Sequence, residues 1–294
     1  MIVCELSPQG KATFPLGNIF TYNKLITSFP EFENFTGMTT LNYNAFRETS
    51  IESIVLPTTI TSLAGECFRS TNISSINLSR ITSIEFFCFY NCTELVSVNI
   101  SNCAYLGYGA FNKCTNLVSV GSVEKIQNMV SQSYGQFGET GLSGSFNFRS
   151  YSGSTIPNGL FNKTKVDEVI FPAGYTKIDG AAFDSTKITS FVVAEGCTTI
   201  NNHAFSSNSS LQRLDLPTTI TNLNGYFLYN NPSLQVLICR ATTPPTIGQS
   251  GSLNRIDSNL KVYVPQSSIS AYESAAVWSK LIGKYVALEG SAYK

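Results

Sequence analysis

One phenylalanine recurs through most of this chain: Phe46, Phe68, Phe89, Phe111, Phe137, Phe161, Phe183, Phe205 and Phe227, at spacings of 22, 21, 22, 26, 24, 22, 22 and 22 residues. The residue before it is usually small, as at Ala45, Cys67, Cys88, Ala110, Ala182 and Ala204. A fixed period of this size marks a stacked-repeat architecture. Each unit buries one apolar stripe, cannot stand alone, and gains a continuous core only from its neighbours.

Two further columns keep step with the ring. An apolar segment precedes it, as in Ile51, Ile54, Leu56; Ile73, Ile76, Leu78; Val166, Val169, Phe171; and Leu211, Leu214, Leu216. These segments are short and rich in β-branched residues, so they read as strands. Pro57, Pro172 and Pro217 follow and stop them. Five residues before the ring stands a second apolar column: Leu41, Leu63, Ile84, Leu106, Ile178 and Ile200. The expected fold is a predominantly β repeat solenoid of about ten rungs, with the nine rings in one internal ladder.

Two stretches break the rhythm. Residues 121–160 carry the two long spacings, Gly/Ser-rich text and an expected short helix from Val123 to Val130. Because the same period resumes afterwards, this reads as irregular rungs rather than a domain boundary. Residues 241–294 open on Ala241-Thr-Thr-Pro-Pro-Thr246, continue with a strand Leu260–Val264, and then suggest a helix from Ser270 to Ile282. A solenoid must hide the open end of its core, so 241–294 is expected to be a C-terminal capping repeat, and 1–24 an N-terminal capping segment, around repeats at 25–240.

Ala110-Phe-Asn-Lys-Cys-Thr-Asn-Leu117 and Cys88-Phe-Tyr-Asn-Cys-Thr-Glu-Leu95, with the preceding apolar-x-x-apolar-x-Leu-Pro pattern, resemble the BspA-like leucine-rich repeats of bacterial surface proteins. The opening Ile26-Thr-Ser-Phe-Pro-Glu-Phe-Glu-Asn-Phe-Thr-Gly37 is similar too. The closing Ala-Thr-Thr-Pro-Pro, Val-Tyr-Val-Pro and Trp-Ser-Lys looks like the end segment of gut Bacteroides-type members. The resemblance spans roughly residues 25–285. It implies a right-handed leucine-rich-repeat superhelix, an export route, a cell-surface or secreted location, and a role in adhesion or recognition. The start, Met-Ile-Val-Cys-Glu-Leu-Ser-Pro, shows no signal peptide. Either the protein is not exported or the numbering begins after a signal was removed.

Composition removes several classes of function. Only 13% of the 294 residues are charged, and 19 basic residues balance 19 acidic ones. No footprint for nucleic acid is expected, and no apolar run long enough for a transmembrane helix occurs. One histidine, His203, excludes a multi-histidine metal site. It occupies a variable column with Asn44, Glu66, Phe87, Gly109 and Ala181, which reads as solvent-facing. No Gly-x-Ser-x-Gly elbow, P-loop or dinucleotide fingerprint accompanies it. Asp167-Glu168 reads as a solvated pair. No catalytic, cofactor or metal site is expected; a hydrolase would need a pocket within 121–160. Cys92 and Cys114 share one ladder column, and Cys67 and Cys88 stand in for alanine in another. All four read as buried thiols used for packing.

What remains is surface. Three residues before the ring stand Tyr43, Gly65, Phe86, Tyr108, Gly180 and Asn202. A position that accepts glycine is not one the core needs filled. The aromatics there, Tyr43, Phe86 and Tyr108, with Tyr90 beside them, are therefore the candidate ligand-binding residues. Outward strand positions are mostly Ser, Thr, Asn and Val, an uncharged face that suits a protein or glycan partner, host-derived ones included. The chain is expected to be a monomer, either a binding module or a structural spacer.

Overall fold

The computed structural model describes residues 17–294, so Cys4 and the first part of the expected cap at 1–24 lie outside the described residues. The chain forms two compact units. Unit 1 runs to Val130 and includes Gln136–Leu142; unit 2 holds Ser131–Gly135 and Ser143–Lys294. Each is a parallel β-solenoid with little helix. The division falls within the irregular stretch 121–160.

In unit 1 the column five before the ring forms two-residue strands, β1 (Thr40–Leu41), β2 (Ser62–Leu63), β3 (Ser83–Ile84) and β4 (Tyr105–Leu106), and β5 (Asn128–Met129) continues them although Met129 stands eight residues before Phe137. They pair in parallel, in that order, with Leu41, Leu63, Ile84, Leu106 and Met129 in register. The polar residue of each strand faces outward and the apolar one is buried, as a period-two pattern requires. The expected helix at Val123–Val130 is absent; a turn leads into β5 instead. Val123, Ile126 and Met129 repeat the spacing of Leu78, Ile81 and Ile84. Their helix-like interval of three is the rung's own column spacing.

The ring ladder of unit 1 is continuous. Centroids of Phe46 and Phe68 are 5.5 Å apart, Phe68 and Phe89 5.3 Å, Phe89 and Phe111 5.2 Å, and Phe111 and Phe137 6.0 Å, all within 10° of parallel. Phe20 extends it, 5.6 Å from Phe46. The backbone around each ring explains its small neighbour. At Phe46, Phe68, Phe89 and Phe111 the residues two before and two after adopt left-handed φ, as at Asn44 (59°) and Glu48 (55°), or Glu66 (58°) and Ser70 (54°). Between them the chain curls tightly inward, and Ala45, Cys67, Cys88 and Ala110 are wholly buried. The strained φ is held by hydrogen bonds along the stack: Phe46 N–H to Cys67 O (2.8 Å), Phe68 N–H to Cys88 O (2.9 Å) and Phe89 N–H to Ala110 O (2.8 Å).

A polar column lies three residues after the ring. Thr49, Thr71, Thr140 and Thr164 each donate to the carbonyl of their own phenylalanine at 2.7–2.9 Å. Cys92 and Cys114 occupy the same column, and their thiols donate to Phe68 O (3.0 Å) and Phe89 O (2.9 Å) on the preceding rung. In unit 2 Asn208 accepts from Thr186 N–H (2.7 Å) and Oγ1–H (2.8 Å), and Asn231 donates to Phe205 O (3.0 Å) and Leu228 O (2.7 Å). These side chains give the buried carbonyls of the tight curl a further partner; Phe46 O, Phe68 O, Phe89 O and Phe161 O also accept from the backbone N–H three residues on, each at 3.2 Å.

Unit 2 carries β6 (Ser143–Asn147), β7 (Thr155–Ile156), β8 (Lys165–Ile170), β9 (Lys177–Ile178), β10 (Ser190–Val192), β11 (Thr199–Ile200), β12 (Arg213–Leu216), β13 (Asn222–Leu223), β14 (Val236–Cys239), β15 (Thr246–Ile247), β16 (Lys261–Val264), α1 (Ile269–Ser274) and β17 (Tyr285–Ala287). Its two five-stranded sheets run β10-β12-β14-β16-β17 and β15-β13-β11-β9-β7; β6 pairs with β8. Here the apolar segments form the expected strands. In unit 1 the same segments meet only through single bridges, Ser28 to Ser53 to Ser75 to Ser97 to Ser119. Asn77 and Asn99 turn their carboxamides onto the N–H of Ser79 and Ser101, each at 3.0 Å. This local bonding competes with the ladder and ends it. Phe161, Phe183, Phe205 and Phe227 are wholly buried, and Phe183 stacks on Phe205 at 5.3 Å. The expected helix at 270–282 is split into α1 and a 3-10 turn at Trp278–Leu281, because Ala275 is extended and Val277 has φ 68°. Tyr272 and Trp278 are wholly buried and donate to Ala241 O and Pro245 O, both at 2.8 Å.

Candidate functional site

The four aromatic residues singled out in the sequence come together on unit 1. Phe86 stacks on Tyr108 (5.4 Å, 8°) and meets Tyr43 at 6.0 Å. Phe87 joins Tyr108 (4.9 Å) to Tyr90 (5.1 Å), both edge-on. Cations cover the outer faces: Arg69 lies over Phe87 (5.4 Å) and Tyr90 (5.1 Å), and Lys113 over Tyr90 (5.6 Å). Glu66 is buried beneath them and holds Arg47 (2.7 Å), Arg69 (2.9 Å) and the Tyr43 hydroxyl (3.0 Å). Burial, with the hydrogen bond and negative charge of Glu66, raises the Tyr43 pKa above its ordinary value.

The argument from glycine in this column is corrected by the packing. A Cβ on Gly65 would sit 2.7 Å from the Phe86 ring, inside van der Waals contact. Glycine is present there because the ring of the next rung occupies the space its side chain would need. The rings are half-buried, and only Tyr43, at 44%, is exposed. The column two before the ring is likewise not uniformly solvent-facing. His203 is exposed, whereas Glu66 and Gly109 are buried; what its members share is left-handed φ.

A second surface lies on the face with outward Ser, Asn and Val. It is a groove of about 1050 Å³ that crosses five rungs of unit 1. Ser28, Ser53, Ser75, Ser97 and Ser119 run along it in one bridged line, all exposed. Ile54, Ile76 and Val98 form its apolar floor, with Asn77 and Asn99 alongside, and Arg80 is the one charged residue in its lining. Composition suggested a flat uncharged face, and the curvature was not apparent from the sequence. This cavity is lined by residues from Ser28 to Gly121, so it meets the 121–160 stretch, where a hydrolase would need its pocket, only at that stretch's first residue.

His203 Nδ1 is 3.2 Å from Ser206 Oγ. That hydroxyl is buried and donates to Tyr226 O at 2.5 Å, while the imidazole stacks on Tyr226 at 5.4 Å. The pair is therefore not arranged as an exposed nucleophile with its base. Among the described residues, no cluster of three or more His, Cys, Asp or Glu is placed to hold a metal ion.

A model of the BspA type leucine-rich repeat region, in six copies, matches residues 18–137 and 132–250. No curated protein matches the sequence. Among solved structures, a leucine-rich repeat protein from Bacteroides ovatus is 13% identical, with 80% of this chain and 68% of that one covered and a TM-score of 0.42. A leucine-rich cell surface protein from Faecalibacterium prausnitzii is 15% identical over 78% of both chains, with a TM-score of 0.42. The pneumococcal vaccine antigen PcpA is 15% identical, with 86% of this chain and 82% of that one covered and a TM-score of 0.41.

Proposed function

The chain belongs to the BspA type leucine-rich repeat family, and from that premise we propose that it is a non-enzymatic binding module, displayed on or outside a bacterial cell, whose contact surface is the serine-lined groove of unit 1. The observation that carries this reading is the line of five exposed serines over an aliphatic floor. Hydroxyls at a repeating interval of about 4.8 Å, flanked by carboxamides, match a partner that is itself a chain of repeating hydrogen-bonding groups. That partner is a protein segment or a glycan, from a host surface among other sources. The near absence of charge along the groove disfavours nucleic acid. No helix among the described residues is long and apolar enough to cross a membrane.

The aromatic column of Tyr43, Phe86, Tyr90 and Tyr108 is a second contact face in this proposal, supported by the exposure of Tyr43 and the outward cations over Phe87 and Tyr90. In the same reading residues 241–294 cap the C-terminal end of unit 2, supported by the burial of Tyr272 and Trp278 against Ala241 and Pro245.

The test is a glycan and host-matrix protein array with the purified chain, followed by titration of any hit. The Ser75→Arg, Ser97→Arg variant changes two exposed side chains. It should keep its melting behaviour and bind at least about tenfold more weakly, the loss expected when bulky charges enter a contact surface. Unchanged affinity rejects the groove, and loss in a Phe86→Ala, Tyr108→Ala variant of unaltered stability would move the contact to the aromatic column. Binding to nothing on either array rejects the module reading in favour of a spacer.

A further inference from the structure

We propose that Cys67 and Cys88 are a disulfide-forming pair, a modification site that links two rungs of unit 1 when a small-molecule disulfide is available as oxidant. Their sulfurs are 3.0 Å apart, and both residues are wholly buried. A disulfide is about 2.05 Å long between Cα atoms about 4.4–6.8 Å apart, and neighbouring strands lie about 4.8 Å apart. The sulfurs thus need to approach by only about 1 Å, a side-chain adjustment. The register is fixed on both rungs: Cys67 O accepts from Phe46 N–H and Cys88 O from Phe68 N–H, and the rings of Phe68 and Phe89 stack at 5.3 Å.

The surroundings distinguish this pair from the other described cysteines. Cys92, Cys114, Cys103 and Cys197 donate to the carbonyls of Phe68, Phe89, Tyr105 and Thr199, and Cys239 accepts from the Tyr272 hydroxyl. Cys92 and Cys114 thereby do the work that threonine does in other rungs. In the Cys67 and Cys88 column four other rungs carry Ala45, Ala110, Ala182 and Ala204, all wholly buried, and Gln136, Leu160 and Tyr226 stand in it before Phe137, Phe161 and Phe227. On the rungs directly flanking the pair, at Ala45 and Ala110, a methyl group fills the position, and the two successive rungs between them carry a thiol instead. The link would join the segment of Glu66 to that of Phe87, the backbone beneath the aromatic column.

The chemistry is two exchanges. A thiolate of the pair attacks one sulfur of oxidised glutathione, releasing one glutathione thiolate and forming a mixed disulfide. The second cysteine, once deprotonated, attacks the protein sulfur of that mixed disulfide and releases the other. The two cysteine thiols lose two protons and two electrons, and the glutathione disulfide is reduced to two thiols. Because both sulfurs are buried, reaction follows local opening and is slow.

The experiment incubates the folded full-length chain with millimolar oxidised glutathione, alkylates it, and maps cross-links by mass spectrometry of a non-reducing digest. The expected result is a Cys67–Cys88 cross-link with an unchanged far-UV circular dichroism spectrum, and loss of one pair of titratable thiols. The Cys88→Ala variant, which places the residue of Ala110 in this column, should fold and lose that cross-link. A Cys92–Cys114 cross-link in its place, glutathione adducts alone, or folded protein that keeps its full thiol count while the urea-denatured chain oxidises would each overturn the proposal.

Discussion

Replacing Gly65 with alanine tests whether the aromatic column of unit 1 is an interlocked structure. The new Cβ would lie 2.7–2.9 Å from three atoms of the Phe86 ring. That ring cannot swing away without leaving Tyr108, 5.4 Å off in a near-parallel stack, and Tyr43 at 6.0 Å. Loss of one or two such aromatic pairs costs about 0.5–1.5 kcal/mol each. Against this, Gly→Ala at a position of ordinary φ stabilises by about 0.4–1 kcal/mol through the unfolded chain. Gly65 is not among the positive-φ glycines, so that gain applies. The net for Gly65→Ala is a loss of roughly 1–2 kcal/mol, within the usual cost of overpacking. In a Phe86→Ala background the obstruction is gone, and the same change should be neutral or stabilising by up to about 1 kcal/mol. The coupling between the two sites is then about 2 kcal/mol, read from denaturant midpoints of the four proteins in a double-mutant cycle. Additivity to within about 0.5 kcal/mol would refute the interlock and return Gly65 to the status of an unfilled surface position.

Other outcomes follow from the same contacts. Phe183→Ala, which removes a wholly buried ring stacked on Phe205, should cost about 3–5 kcal/mol in a urea titration, and a loss below about 1 kcal/mol would show that the ring is not core. Asn231→Ala removes two donors, to Phe205 O and Leu228 O, and the acceptor for Asn208 N–H; a loss of about 2–4 kcal/mol is expected in the same assay, and near-neutrality would contradict the polar-column account. Burial alone would raise the Asp179 pKa, but hydrogen bonds from Ser131, Asn201 and the Gly180 N–H, with Lys177 nearby, outweigh it and hold the carboxylate below its ordinary value. Its contribution is thus present above the unfolded carboxylate pKa and lost as pH falls through the lower folded one; Asp179→Asn should flatten that part of the acid stability profile, and an identical slope in both proteins would count against it. In reduced protein the seven described cysteines, all buried, should react with a thiol reagent only after unfolding, and rapid labelling of the folded chain would contradict their burial.

Much of the fold was legible because a solenoid writes its core as a period. The ring, its small neighbour and the apolar residue five before it are each a fixed distance along the chain from the next copy. Each column recovered in this way is a ladder or strand in the structure. The Thr/Cys/Asn column was equally available as a constant offset of three from Phe46, Phe68, Phe89 and Phe111. Residue type does not mark it as a column, because what its hydroxyls, thiols and carboxamides share is donation to buried carbonyls, a property only the folded backbone displays. Phe20 escaped because it stands 26 residues before Phe46 and is preceded by Ile19, not by a small residue.

The candidate site was legible in composition and misread in geometry. That Tyr43, Phe86, Tyr90 and Tyr108 cluster follows from register, and that the opposite columns are uncharged follows from residue type. The amino-acid sequence by itself therefore determined the rung, its repeat, which side chains stack on their own kind, and the absence of strong charge. Only the tertiary structure decided that Phe86 fills the space above Gly65, that the bridged serines line a groove, that Cys67 meets Cys88 sulfur to sulfur, and where the chain divides into two units. The physical reason is that like columns repeat along one dimension, so spacing alone specifies their neighbours. Contacts between unlike columns depend on rotamers, on left-handed φ at each curl and on how tightly successive rungs bend, and no single rung records any of these.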